Sequence, residues 1–112
     1  MSSVNEYKLE FVASQDILLP KKTIILDIQK KGDDLIMIAG SYKSTEYVYR
    51  RILIVDIGEE LPTYAGEHIK TILHESVFYN FFEDLRFKYP ERFKNEPRSV
   101  ISRMRKFLGL QR

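Results

Sequence analysis

The sequence predicts an α+β domain: a small antiparallel sheet of four to five strands followed by a C-terminal amphipathic basic helix. Three observations carry that expectation. Short runs rich in Ile, Val, Leu and Tyr alternate with polar turns through the first three quarters of the 112 residues. An apolar stripe at helical spacing then closes the chain. Charge divides along the same line: residues 1–84 carry 9 Lys/Arg against 14 Asp/Glu, a balance of −5, while residues 85–112 carry 9 against 2, a balance of +7. With no linker-like tract or internal repeat between them, residues 1–112 read as one domain, with a β-rich body over 7–83 and a basic helical part over 84–112.

Over residues 7–12, Tyr7, Leu9 and Phe11 fall on one face and Lys8 and Glu10 on the other, the period of two of a half-buried strand. Residues 14–16 read as a turn. Ile17, Leu18 and Leu19 resume the apolar character up to Pro20, which cannot donate to a ladder and suits an edge or a strand start. Residues 23–29, with Ile24, Ile25, Leu26 and Ile28, read as a central strand. A polar turn around Gly32, with Asp33 and Asp34, leads into residues 35–39, so the two runs should form an antiparallel hairpin. Residues 47–57 form a third long β-rich run. Arg50 and Arg51 interrupt it, and one of these consecutive side chains must leave the core face of a regular strand. The acidic pair Glu59 and Glu60 should lie in solvent.

Residues 64–82 are ambiguous. Ile69, Ile72, Leu73 and Val77 fit a helical face, while Ile69, Thr71 and Leu73, then Val77, Tyr79 and Phe81, fit two strands. The last element is clearer: Asn95 can cap a helix, Pro97 falls in its first turn, and Gly109 follows its end. Between them Val100, Ile101, Met104, Phe107 and Leu108 form one stripe, with Arg98, Ser102 and Arg105 opposite.

Tyr7 to Glu10, Leu19 and Pro20, the apolar runs at 26–29 and 35–39, and residues 54–62 together resemble an uncharacterised family of small phage and prophage proteins. The matching pattern continues at Ile69 to Thr71 and along 77–82, so the resemblance spans residues 7–83. It implies a compact β-domain in a viral or prophage setting, brings no catalytic residues with it, and tips residues 64–82 toward two strands. The basic end of the chain lies outside it.

Several chemistries are excluded or unsupported by residue type and spacing. No cysteine is present, which removes disulfides, thiol nucleophiles and cysteine-ligated metals. His68 and His74 are six residues apart, on different faces of a helix or roughly 20 Å apart on the same side of an extended strand, and neither geometry chelates one ion. No serine sits in a glycine-flanked elbow, and the five glycines are isolated, so no phosphate-cradling loop exists. The expectation is a protein that is not an enzyme, without metal or cofactor. No apolar run approaches the roughly 20 residues of a membrane-spanning helix, and the first residues lack secretory-signal order, so the reading is cytoplasmic, without membrane contact.

What remains is binding. Arg86, Lys88, Arg92, Lys94, Arg98, Arg103, Arg105 and Lys106 form the candidate partner-binding set, because clustered cations favour approach to an acidic surface. The first reading is a phage or prophage accessory protein that inhibits or otherwise engages a host or defence protein through this region. The alternative is a nucleic-acid-binding module. There the cations would touch phosphates and the interleaved Phe78, Tyr79, Phe81, Phe82, Phe87, Tyr89 and Phe93 would stack on bases. The competing explanation of these aromatics is core packing, and that of the basic end is folding back onto the acidic body. Self-association through edge strands at 7–12 or 77–82 could also give a dimer.

Overall fold

The computed structural model describes residues 2–44 and 46–93. The predicted helix, and with it Lys94, Arg98, Arg103, Arg105 and Lys106, falls outside the described residues. Within them the protein is mainly β: β1 (Ser2–Leu9), β2 (Ser14–Pro20), β3 (Ile24–Lys31), β4 (Asp34–Tyr42), β5 (Tyr47–Asp56), β6 (Ala65–His74) and β7 (Val77–Asp84), then a one-turn helix α1 (Leu85–Lys88) and a 3₁₀ turn over Pro90–Arg92. All strand pairs are antiparallel, and they build two sheets, ordered β1-β4-β3 and β2-β5-β7-β6. Seven strands in two sheets replace the single sheet of four to five expected from the sequence. Segment 14–20, read in part as a turn, is a strand on β5, and residues 65–84 form two strands, of which, among the described residues, β7 is paired on both sides and β6 on one.

The sheets face each other across one core. Leu9, Ile28, Leu35, Met37 and Ala39 come from the first sheet, and Leu19, Ile52, Ile54, Ile72 and Phe81 from the second. These residues lie on the inward faces of their strands; period two in the sequence placed Leu9 and Phe81 there, while along β6 it aligned Ile69, Thr71 and Leu73, and the register shift at Ile69 instead buries Ile72 and leaves Leu73 53% exposed. Phe81 is the largest fully buried side chain, with Tyr79 and Phe11 packed against the same cluster. The aromatics of 78–93 therefore divide: Phe81 and Tyr79 serve the core, whereas Phe78 and Tyr89 are exposed.

Two placements correct the sequence reading. The apolar run at 23–29 is an edge strand rather than a central one, because among the described residues β3 pairs only with β4. Its outward residues Ile24 and Leu26 are 59% and 54% exposed, so hydrophobicity in this run does not mean burial on both faces. Residues 77–82 offer no free edge for a dimer, since β7 is held on one side by β5 and on the other by β6. Of the two proposed edges only that at 7–12 has an open side among the described residues, and there the strand ends at Leu9, with residues 11–13 in a bend, and extends back to Ser2 opposite Tyr42 of β4.

The β6–β7 connection is a two-residue hairpin in which Glu75 and Ser76 both have positive φ, 50° and 66°. This backbone suits the right-handed strand twist but normally selects Asn-Gly, since a Cβ in the left-handed region is strained. Replacing Glu75-Ser76 by Asn-Gly should raise the unfolding free energy by about 1 kcal/mol, read from the shift of a denaturation midpoint at unchanged slope.

Candidate functional site

The two consecutive arginines of β5 point to opposite faces, as alternation demands, yet both are buried. Arg50 faces inward and forks onto Glu83 of β7. Its Nε donates to Oε2, its Nη2 donates to Oε1 at 3.0 Å, and its Nη1 donates to the Thr23 carbonyl at 2.9 Å. One guanidinium thus joins β5, β7 and the start of β3. Arg51 faces outward and forks onto Asp16 of β2 at 2.6 and 3.0 Å, with its guanidinium 4.2 Å above the Phe87 ring. These contacts satisfy the charges, which is what makes their burial tolerable.

A third fork sits where β7 becomes α1. Asp84, fully buried, caps the helix by accepting the Arg86 N–H at 2.9 Å. The same carboxylate receives Arg86 Nε at 3.0 Å and Nη2 at 2.6 Å, while the guanidinium lies 3.6 Å over the Tyr64 ring. Of the candidate binding set, Arg86 is therefore built into the fold. Lys88 and Arg92 are exposed: Lys88 Nζ lies 4.0 Å from Glu83 and Arg92 lies 4.1 Å over the Tyr89 ring.

Lys88 and Arg92 stand on the wall of a cleft of about 840 Å³ between the facing edges of β3 and β6. Residues 23–26 line one side and 65–69 the other, with Glu83, Leu85 and Tyr89 completing it. The cleft exists because the edges diverge. Both strands are irregular there, with register shifts between Ile25 and Asp27 on β3 and on both sides of His68 on β6. Farther along, the seam is bridged by Lys70 and Asp27, 3.3 Å apart. Gly66 is required on the β6 side: a Cβ would meet Leu85 Cδ2 at 2.9 Å and the Glu83 carbonyl at 3.1 Å. The sequence reading missed this cleft, since nothing local tells that residues 24–26 and 65–69 face each other. The isolated Gly66 just before the apolar part of β6 was the one available signal.

Asp27 also closes the edge of β3. Gln29 Nε2 donates to its Oδ2 at 3.0 Å and the Ile28 N–H to its Oδ1 at 2.8 Å. The Gln29 amide, then the Ile28 N–H and the Lys70 ammonium, hold the carboxyl below its ordinary value of 3.8 against an opposing effect of burial.

The histidines do not form a site together. The register shift at Ile69 reverses their parity. His68 packs edge-on to Phe82, while His74 stacks on Phe11 with ring centroids 4.3 Å apart and keeps a buried Nδ1 that has no partner among the described residues. Their expected common side in an extended strand is thus corrected by a bulge. Among the described residues no three His, Asp or Glu side chains are grouped as a metal site. His68 Nε2 does lie 2.7 Å from the Thr71 hydroxyl, the spacing of a base and a nucleophile. The proton runs the other way, however. Asn80 Nδ2 donates to the Val55 carbonyl at 3.0 Å, which turns Asn80 Oδ1 toward Thr71, and the hydroxyl donates to that oxygen at 2.8 Å. His68 Nε2 is then the donor to Thr71, and the hydroxyl has no proton to give it.

Two outcomes test this account. Glu83→Gln should lower stability by about 3 kcal/mol in chemical denaturation by leaving the Arg50 charge uncompensated, whereas the double change Arg50→Met/Glu83→Met should lie closer to the parent than either single change. For Asp27, a lowered folded-state pKa means a stabilisation that is present above the unfolded value, near pH 4, and lost as pH falls through the folded value. Asp27→Asn should therefore flatten the acid limb of the stability profile below about pH 4, leaving its shape near neutrality unchanged.

No family model matches the chain, and neither curated proteins nor solved structures give a match.

Proposed function

We propose that the protein is a non-enzymatic binding module that engages an acidic surface on a protein partner through its basic C-terminal region. In the phage or prophage setting that the sequence resemblance suggests, the partner is a host or defence protein. The observation that carries the reading is the pair of exposed cations, Lys88 and Arg92, on the wall of the β3–β6 cleft, at the point from which the basic final residues continue. The three forked arginines are consumed by Glu83, Asp16 and Asp84, so the fold separates structural cations from those turned to solvent.

The nucleic-acid alternative draws less support from the described residues. Base stacking needs open ring faces beside the cations. Here Phe87, Tyr64 and Tyr89 each carry a guanidinium of the same chain on one face, and the exposed Phe78 lies at the start of β7, at the end of the strand opposite α1. Catalysis finds no support in the His68–Thr71 pair, whose hydrogen bond has the wrong direction for a base.

Fluorescence anisotropy of the full chain against poly-L-glutamate and against oligothymidylate tests the reading. Binding to polyglutamate at about 50 mM salt, weakened by added salt and by reversal of Arg98, Arg103 and Arg105 to Glu, is the expected result. Absence of polyglutamate binding at that salt, or binding to oligothymidylate alone with a steep salt slope, would overturn it.

A further inference from the structure

We infer that the β3–β6 cleft is a docking site for an extended acidic segment of the protein partner, received as an added strand between the two sheet edges; the inference deepens the binding reading above and rests on it. The first ground is the pairing of the edges. Among the described residues β3 is bonded only to β4 and β6 only to β7, so each keeps a side that takes no part in its sheet, and the Asp27–Lys70 bridge and the shared cleft bring the two strands together. Such edges invite strand addition unless they are blocked. The block is present in one place: Asp27 takes the Ile28 N–H and, with Lys70, bridges the seam. Residues 24–26 and 65–69 lie on the open side of this bridge, where the register shifts part the edges.

The chemistry of the cleft suits one kind of strand. Ile25 and Ile69, both half-buried against the core, offer an apolar floor to every second side chain of an extended segment, because alternate residues point to one side. Lys88 and Arg92 face the intervening side chains from the α1 wall. Glu83 is already paired with Arg50, and among the described residues the one other lining carboxylate is Glu67 on β6. Acidic side chains on the α1 side therefore meet positive charge, and basic ones meet repulsion.

Titration of the isotopically labelled full chain, followed by backbone amide shifts, tests the proposal with three probes: a hexapeptide alternating Glu and Val, its Lys and Val counterpart, and an oligothymidylate. The Glu peptide should shift the amides of residues 24–26 and 65–69 in a saturable manner and the Lys peptide should not. Lys88→Glu/Arg92→Glu, with the rest of its spectrum unchanged, should weaken the Glu peptide about tenfold. Glu-peptide shifts confined to residues outside the cleft, or no binding of either peptide by a chain that still binds polyglutamate, would overturn the docking site while leaving the general binding reading intact; loss of both peptide and polyglutamate binding would remove both. Equal binding of the two peptides, or stronger shifts of the cleft amides with oligothymidylate, would also overturn the proposal, the latter in favour of nucleic acid.

Discussion

The contact on which most of the structure depends is the buried fork between Arg50 and Glu83. Two charges at 5% exposure each would be ruinous alone, and together they are acceptable because nearly every donor and acceptor is used. The consequence is geometric. Arg50 also holds the Thr23 carbonyl, so β5 of one sheet, β7 beside it and the start of β3 in the other sheet are fixed to one planar group. An apolar contact would tie the sheets together without specifying this register, and the planar guanidinium specifies it.

The same corner determines where the chain leaves the sheet. Glu83 and Asp84 are consecutive, so one faces the core and meets Arg50 while the other faces away and receives Arg86. Asp84 then both ends β7 and begins α1, and the helix turns its Phe87 over Arg51. Four charged residues in two adjacent pairs, 50–51 and 83–84, thus place α1 across the β5–β7 corner and bring Lys88 and Arg92 to the cleft wall. The cleft follows from the fork as much as from the bulged edges.

The cleft edge also shows how a β protein manages exposed strands. Where Asp27 and Lys70 bridge the seam, a charged pair and a satisfied Ile28 N–H discourage pairing. Where the edges part, that protection stops and exposed cations stand nearby. The outer face of the first sheet, with Val4, Ile24, Leu26 and Tyr42 exposed, is apolar but offers no comparable charge or shape to say what would cover it.

Much of the fold was legible in local pattern. Alternation located the inward residues Leu9 and Phe81, the apolar runs at 35–39 and 47–57 contained Leu35, Met37 and Ile52, the turn around Gly32 marked the β3–β4 hairpin, and two adjacent arginines required opposite faces. The charge split singled out Lys88 and Arg92, though also Arg86, which the fold consumes. What sequence could not supply was every property that depends on a partner distant in the chain. Whether β3 lies at an edge or a centre, which carboxylates Arg50 and Arg51 meet, and that 24–26 face 65–69 are decided by segments distant in sequence, Glu83 standing 33 positions from Arg50 and Asp16 35 from Arg51, and local periodicity is blind to them. A bulge at one residue moves His68 and His74 to different faces, because a slip of one in a period of two reverses every side chain beyond it. The sequence by itself determined which residues prefer water and which avoid it; tertiary structure alone decided which edges remain open, because an edge is defined by the neighbour it lacks.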